Sequence, residues 1–266
     1  MFHYDLNYGD AHVIGVDIFS MPVLDSRMYI IHVNHNELLI IDPVLLQKED
    51  EPRLRAICDP ARRATVLVTH SHYDHIAGLN RLRELIPAKL YATPLCNKKL
   101  QDSHKNLSAY SMALVMGKDP KLEWYCETHF DFDYTCSADE IYVGTTKLEF
   151  SLHRISSNIT NNKPVYVENN SEHEHSLLLR TIPTPGHSDC SQCVELRRRG
   201  GVLLAVFTGD SLVNGHDTIT RFPTGNKRVF REETEPYIMS LPDNIVIFPG
   251  HGDPARLSEI KEYAII

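Results

Sequence analysis

One short segment constrains the fold of this chain more than any other. The apolar run TVLVT at 65–69 is followed at once by His70-Ser71-His72-Tyr73-Asp74-His75, and then by leucines at helical spacing over 76–86. This pattern predicts a buried strand, a tight loop rich in residues of metal-ligand type, and a helix. Because side chains alternate along extended chain, we expect His70, His72 and Asp74 to point one way and His75 another, which suits two adjacent cations. A histidine-rich surface turn is the alternative interpretation.

Three further loops place a residue of the same type just beyond an apolar strand. These residues are His187 after SLLLRTIP, Asp210 after LLAVF and His251 after NIVIF. A glycine precedes each of them, where it permits a turn with unusual backbone angles or a close approach of the chain. Each residue alone is weak evidence, but together with the first loop they predict one site collected at one edge of a sheet.

The remaining patterns predict an α/β fold. Three short strands rich in β-branched and aromatic residues, at 11–19, 27–33 and 37–42, predict an antiparallel meander. A strand–helix–strand rhythm follows, with a last strand at 88–92, and it returns near the end of the chain after a less regular interval at 93–175. The late elements are a strand at 203–210, a helix near 232–241, a strand at 244–249 and a helix near 254–263.

Charge and composition limit the kinds of molecule that this chain is expected to bind. The chain has 266 residues and carries 27 Lys and Arg against 35 Asp and Glu, a net charge of −8. This balance argues against nucleic acid or an anionic membrane as the main partner. The sequence shows no secretory signal and no apolar stretch of the roughly 18 residues that a spanning helix needs. Its six cysteines are scattered, as is typical of reduced thiols. We therefore expect a cytoplasmic protein with a small-molecule substrate; its oligomeric state is not predicted.

The ordered motifs resemble those of the metallo-β-lactamase-fold hydrolase superfamily, from the first strands to the last helix. This resemblance implies one domain over 1–266, an αββα four-layer sandwich with a family-atypical insertion within about 93–175. It also implies a dinuclear site and a role for each motif residue. The first metal would be bound by His70, His72 and His187, the second by Asp74, His75 and His251, with Asp210 bridging both and Asp42 holding the histidine loop.

The C-terminal third resembles the compact glyoxalase II-like hydrolases, which act on thioesters. The residues that carry this resemblance are GDSL at 209–212, Arg221-Phe-Pro-Thr-Gly225 and LPDNIVIFPGHGDP at 241–254. Only fifteen residues follow His251, which leaves no room for the helical region that holds glutathione in full-length glyoxalase II. The resemblance therefore implies hydrolysis of a thioester or ester without assigning glutathione.

The implied chemistry is attack on a carbonyl carbon by hydroxide held between two divalent cations. Zinc is the default for nitrogen and oxygen ligands, and iron or manganese are alternatives. Asp74 would be both a ligand and the acid/base catalyst, since it has a spare carboxylate oxygen. Tyr73 and Arg221 are candidate substrate contacts. Five aromatic residues in the irregular interval would pack in the core or form a lid, namely Trp124, Tyr125, Phe130, Phe132 and Tyr134.

Other functions stay open. A lactonase would use the same nucleophile on an ester carbonyl. A persulfide dioxygenase of this fold would use one iron held by two histidines and one aspartate. The complete set of ligands implied for a second metal, especially His251, favours hydrolysis instead. A non-catalytic binding module predicts lost ligands, and all seven are present in the sequence.

Overall fold

A computed structural model describes residues 2–9, 12–21, 24–111, 134–142, 147–151, 154–160, 163–167, 176–198 and 200–261. The strands are β1 Phe2–Gly9, β2 His12–Ser20, β3 Arg27–His32, β4 Glu37–Ile41, β5 Arg63–Leu67, β6 Ala88–Ala92, β7 Glu140–Ile141, β8 Lys147–Ser151, β9 Arg154–Thr160, β10 Lys163–Val167, β11 Ser176–Pro183, β12 Gln192–Arg198, β13 Leu203–Gly209, β14 Val246–Pro249 and β15 Ala255–Arg256. The α-helices are α1 Glu51–Ile57, α2 Leu79–Leu85, α3 Pro94–Leu100 and, later in the chain, Lys227–Val229, Glu235–Ser240 and Leu257–Lys261.

The first sheet contains seven strands in sequence order, β1 to β7. Strands β1 to β4 pair antiparallel, which confirms the predicted meander and adds β1 to it. Strands β4 to β7 pair parallel, with Ile40 opposite Val66 and Val66 opposite Leu90. Parallel strands β4, β5 and β6 are joined by helices, as parallel connections require.

The second sheet contains six strands in the order β15-β14-β13-β12-β11-β8. Only β13 and β14 pair parallel, and all other neighbours are antiparallel. Strands β9 and β10 form a separate two-stranded hairpin within the interval predicted as an insertion. The assignment of that interval as an insertion stays a prediction.

Successive side chains of a strand point to opposite faces of its sheet, so the two sheets contribute to three separate apolar layers. Tyr29, Ile31 and Leu67 of the first sheet meet Leu179 and Phe207 of the second sheet, and these residues fill the space between the sheets. The opposite side chains of the first sheet pack against α1, α2 and α3. Those of the second sheet pack against the helices Glu235–Ser240 and Leu257–Lys261. The four predicted αββα layers are present, and strands buried on both faces explain the continuous apolar runs in the sequence.

Several boundaries differ from the sequence prediction, most clearly those of one strand and one helix. The strand predicted at 65–69 spans Arg63–Leu67, because the chain beyond it leaves the sheet and the Thr69 N–H bonds to the Asp42 side chain. The helix predicted near 232–241 begins at Lys227 and passes through a π-helical turn at Phe230–Thr234. In the part of the chain that the structure describes, no helix is long and apolar enough to cross a bilayer.

Candidate metal centre

The loops that follow five strands meet at one edge of the two sheets. Asp42 comes directly after β4, the segment 70–75 follows β5, and His187, Asp210 and His251 follow β11, β13 and β14. The structure brings all seven predicted ligands together in three overlapping groups, and within each group the ligand atoms lie within 4.8 Å of one another. The groups are His70, His72 and His187; His70, His75 and Asp210; and Asp74, His75 and His251.

Asp210 lies between the outer groups. Its Oδ1 atom is 3.3 Å from His75 Nε2, and its Oδ2 atom is 3.3 Å from His187 Nε2 and 3.4 Å from His251 Nε2. One carboxylate therefore faces histidines of both predicted metal sets. This is the geometry that a bridging ligand requires.

Asp42 orients two of the histidines from behind. Its Oδ2 atom accepts hydrogen bonds from His75 Nδ1 at 3.0 Å and from Thr69 Oγ1 at 2.7 Å. Thr69 Oγ1 in turn lies 3.1 Å from His70 Nδ1, which donates to it. These bonds turn the Nδ1 atoms away from the cluster, so the Nε2 atoms of His70 and His75 face it and can bind a cation when they carry no proton, as outer carboxylates arrange for metal-binding imidazoles.

Backbone carbonyls orient two other histidines. His187 Nδ1 donates to Ile219 O at 2.7 Å, and His251 Nδ1 donates to Leu24 O at 2.9 Å. Their Nε2 atoms therefore also face the cluster. His72 differs, because its Nδ1 atom is the one that faces His187 Nε2, at 2.9 Å.

The buried polar atoms show that the cluster fits cations. His70 Nε2, His75 Nε2 and Asp210 Oδ1 are buried without a hydrogen-bond partner. A buried polar atom without a partner costs on the order of 1–3 kcal/mol, so such atoms normally have one. Imidazole nitrogens and a carboxylate oxygen that converge in this way form a donor set suited to zinc, iron or manganese.

Asp74 corrects the predicted alternation of side chains in this loop. It lies with His75 and His251 rather than with His70 and His72. The reason is that Tyr73–His75 form a 3-10 turn, in which neighbouring side chains no longer alternate as they do along extended chain. The pairing implied by the family resemblance agrees with this placement.

Glycines allow the ligand loops to come this close, as the sequence predicted. Gly209 has φ +48°, and a Cβ on it would lie 2.2 Å from Thr69 Oγ1. A Cβ on Gly250 would lie 2.1 Å from Asp210 Oδ1. Neither position has room for a side chain without displacing Thr69 or Asp210.

Without a bound cation, three histidines of the site are neutral and two are positively charged. Burial lowers the pKa of His70, His187 and His72, the last to about 3, so these rings are neutral near pH 7. Burial opposes charge on His75 and His251 as well, but the neighbouring carboxylates outweigh it. They raise the pKa of His75 well above its ordinary value and that of His251 to about 10. Both rings are therefore imidazolium at pH 7.

Cation binding is expected to release protons. A ligating Nε2 atom must be unprotonated, so binding at pH 7 displaces roughly one proton from each of His75 and His251. Because both pKa values are raised, the apparent affinity for cations falls as pH falls. Calorimetric titration of metal-free protein with zinc, in two buffers of different ionisation enthalpy, measures this release. Identical heats in both buffers would contradict it.

A cavity of about 220 Å³ opens over the cluster. Its apolar walls come from Leu24, Leu107, Val213, Ile219 and Phe222, and the Phe222 ring lies edge-on to those of His72 and His187. Asp74, Asp210 and His251 line the polar side. Among the residues that the structure describes, no lysine or arginine lines this cavity.

The predicted substrate contacts fall in different places. Tyr73 is buried and lines the cavity, whereas Arg221 is exposed and does not belong to the lining. Tyr134 packs in the core, where its hydroxyl donates to Ile76 O at 3.0 Å. The aromatic residues at 124, 125, 130 and 132 lie outside the described residues. Substrate contact by Tyr73 and Arg221 stays a prediction.

Lys99 is a buried cation that the sequence analysis missed. It is 3% exposed, and its Nζ atom pairs with Asp189 and donates to Thr224 Oγ1 at 2.7 Å. It therefore ties the loop that carries His187 to the loop after Phe222. No local pattern predicts this role, since Lys98 and Lys99 stand together in a helix and only the tertiary structure buries one of them.

Comparisons with known proteins identify the family. The model of the metallo-β-lactamase superfamily matches residues 21–251, and the chain belongs to this superfamily. A probable metallo-hydrolase from Streptococcus pyogenes is 23% identical over 86% of this chain and 80% of its own length. A hydroxyacylglutathione hydrolase from Photobacterium profundum is 30% identical over 70 residues, 26% of each chain. The crystal structure of BLEG-1 B3 metallo-β-lactamase superposes with a TM-score of 0.61 at 17% identity, covering 93% of this chain and 96% of that one, which confirms the fold.

Proposed function

We propose that this protein is a dinuclear-metal hydrolase that cleaves a thioester or ester of a small molecule in the cytoplasm. The observation that carries the proposal is the convergence of buried, unpartnered ligand atoms in overlapping groups, with Asp210 facing histidines of both predicted metal sets. Two bound divalent cations would polarise a carbonyl group and make hydroxide available near neutral pH. The short match to a hydroxyacylglutathione hydrolase supports thioesters as the first substrates to test.

Asp74 is the proposed acid/base catalyst. Its Oδ2 atom accepts a hydrogen bond from Ser26 Oγ at 2.9 Å and lies 3.4 Å from the Nε2 atoms of His75 and His251. These contacts all involve Oδ2, while Asp74 also lines the cavity. Oδ1 is therefore the free oxygen, placed to take a proton from the attacking water and to pass it to the leaving group. Burial opposes charge on Asp74, but the neighbouring His75 and His251 outweigh it and lower the pKa of Asp74, so its resting form is the carboxylate.

The volume and the lining of the cavity limit the size and charge of the acyl group that can enter it. Its volume of about 220 Å³ is below the roughly 300–1,000 Å³ of ordinary ligand pockets, so it suits one small part of a substrate. Among the described residues no lysine or arginine lines the cavity to pair with a carboxylate, and burial of an unpaired charge is costly. We propose a small, uncharged acyl group in this cavity, with the leaving group directed outward.

A panel of thioesters of one thiol tests this proposal. The butyryl thioester is expected to have a kcat/KM at least about tenfold above that of the succinyl thioester, a difference of about 1.4 kcal/mol. Replacement of the half-buried Ile219 with lysine is expected to reduce this preference, whereas Val202→Lys, on an exposed loop between β12 and β13, leaves it unchanged. A preference for succinyl in the wild-type protein would contradict the assignment of the cavity.

The same assay, extended to other substrates, distinguishes thioester hydrolysis from the alternative activities. Lactones with the same acyl chain test the lactonase, and persulfides with oxygen consumption test the dioxygenase. The complete second group, Asp74, His75 and His251, favours hydrolysis over a mononuclear iron reaction. Absence of thioester and ester hydrolysis by metal-loaded protein would contradict the proposed function, and absence of every activity would favour a binding module.

A further inference from the structure

The short segment Leu24–Arg27, at the start of β3, touches the candidate metal centre from the first sheet. Two of its contacts reach residues of the second predicted metal set. Leu24 O accepts the hydrogen bond from His251 Nδ1 at 2.9 Å, and Ser26 Oγ donates to Asp74 Oδ2 at 2.9 Å. Ser26 is fully buried, so its hydroxyl does not exchange this partner for bulk water.

These two contacts orient their partners. The bond from His251 Nδ1 to Leu24 O leaves Nε2 of that ring directed at Asp74 and Asp210, 3.4 Å from an oxygen of each. The bond from Ser26 occupies Asp74 Oδ2 and so fixes the rotation of the carboxylate. Hydrogen bonds of this kind set the tautomer and direction of metal ligands.

The segment is held against the His251 loop by further contacts. Ser26 and His251 form an antiparallel backbone bridge, and the Arg27 N–H donates to Gly250 O at 2.8 Å. The buried Arg27 guanidinium pairs with Asp25 at 3.0 Å and with Asp253 at 3.3 Å, and its Nε atom donates to Gly252 O at 3.2 Å. Leu24 and Ser26 are therefore fixed relative to the loop that carries His251.

The first predicted metal set has separate supports. His187 is oriented by Ile219 O, and His70 is oriented by Thr69, which bonds to Asp42. None of the hydrogen bonds described for His70, His72 or His187 involves the segment Leu24–Arg27. The segment thus contacts one half of the centre and not the other.

We propose that Leu24 and Ser26 are positioning residues for the second cation, with Ser26 orienting Asp74 and the Leu24 carbonyl orienting His251. This inference rests on the part of the proposed function that gives Asp74, His75 and His251 a cation. Its consequence is that the Ser26 hydroxyl controls the affinity of the second cation separately from that of the first.

Zinc titration of metal-free protein against a competing chromophoric chelator tests this role. In Ser26→Ala the first equivalent of zinc binds as in the wild type, while the dissociation constant of the second rises about 10–100-fold. Ser108→Ala is the matched control. Ser108 is also fully buried, but its hydroxyl donates to the backbone carbonyls of Tyr134 at 3.1 Å and Ser103 at 3.4 Å and not to a predicted ligand. Thermal unfolding of the metal-free variants shows whether both are folded.

Each outcome of this titration bears on the inference. Unchanged binding of both equivalents in folded Ser26→Ala would overturn it, and so would an equal loss at both steps, which indicates general disruption of the site. Failure of wild-type protein to bind a second zinc would also overturn it. A selective loss at the second step, in a protein without thioesterase or esterase activity, would support the positioning role and contradict the proposed function.

Discussion

Replacing Asp210 with alanine is expected to abolish nearly all hydrolysis and to reduce bound metal. Asp210 is the carboxylate that faces His75, His187 and His251 within 3.4 Å, and its buried Oδ1 atom makes no hydrogen bond. Its removal leaves three imidazoles without their shared anion. We expect kcat/KM to fall at least about 10³-fold, or about 4 kcal/mol of transition-state stabilisation.

Two measurements check this prediction, namely elemental analysis of the purified variant and its rate on the best thioester of the panel. Asp243→Ala is the control, since Asp243 is an exposed carboxylate that pairs with Lys261 and belongs to none of the three groups of ligand atoms. The control is expected to keep wild-type metal content and rate. Two metals and full turnover in Asp210→Ala would contradict the bridging role.

Replacing Asp74 with asparagine is expected to lower kcat about 10²–10⁴-fold, the usual contribution of a general acid or base. The amide keeps the shape of the side chain and an oxygen that accepts from Ser26, but it cannot hold and deliver a proton. His70, His72 and His187 are untouched, so the first cation is expected to remain.

Excess metal separates the two roles of Asp74. If Asp74 served only as a ligand, a high concentration of zinc would restore the rate of the variant. We expect the rate to stay low even when two metals are bound. Restoration to the wild-type rate would show that Asp74 is not the acid/base catalyst, and Asp243→Asn is the control for a lost surface charge.

Local patterns predicted two strands with their full bounds. Ala88–Ala92 and Ser176–Pro183 have the bounds that the sequence patterns gave, and each pairs with a neighbouring strand on both of its edges. Strand β1, Phe2–Gly9, was not predicted, although apolar and polar residues alternate along FHYDLNYG as in a half-buried strand. It pairs with β2, and Leu6 is buried in the apolar layer between the two sheets.

The sequence likewise predicted one part of the candidate site and missed another. Spacing and strand placement singled out the ligands, because each stands directly beyond an apolar strand and the topology brings those strand ends together. The alternation of side chains along extended chain predicted the wrong direction for Asp74. The chain is not extended there, because the backbone hydrogen bond from the His75 N–H to His72 O forms a 3-10 turn at Tyr73–His75. Ser26 and Lys99 carry no motif, and their roles arise from contacts with residues far away in the sequence.

Stepwise addition of zinc to metal-free protein, with the rate of thioester hydrolysis recorded at each step, tests the central claim most directly. A dinuclear hydrolase predicts that the rate rises to a plateau at two equivalents of zinc per chain and is lost again on addition of a chelator. A plateau at one equivalent, or a rate that does not depend on metal, would contradict the account.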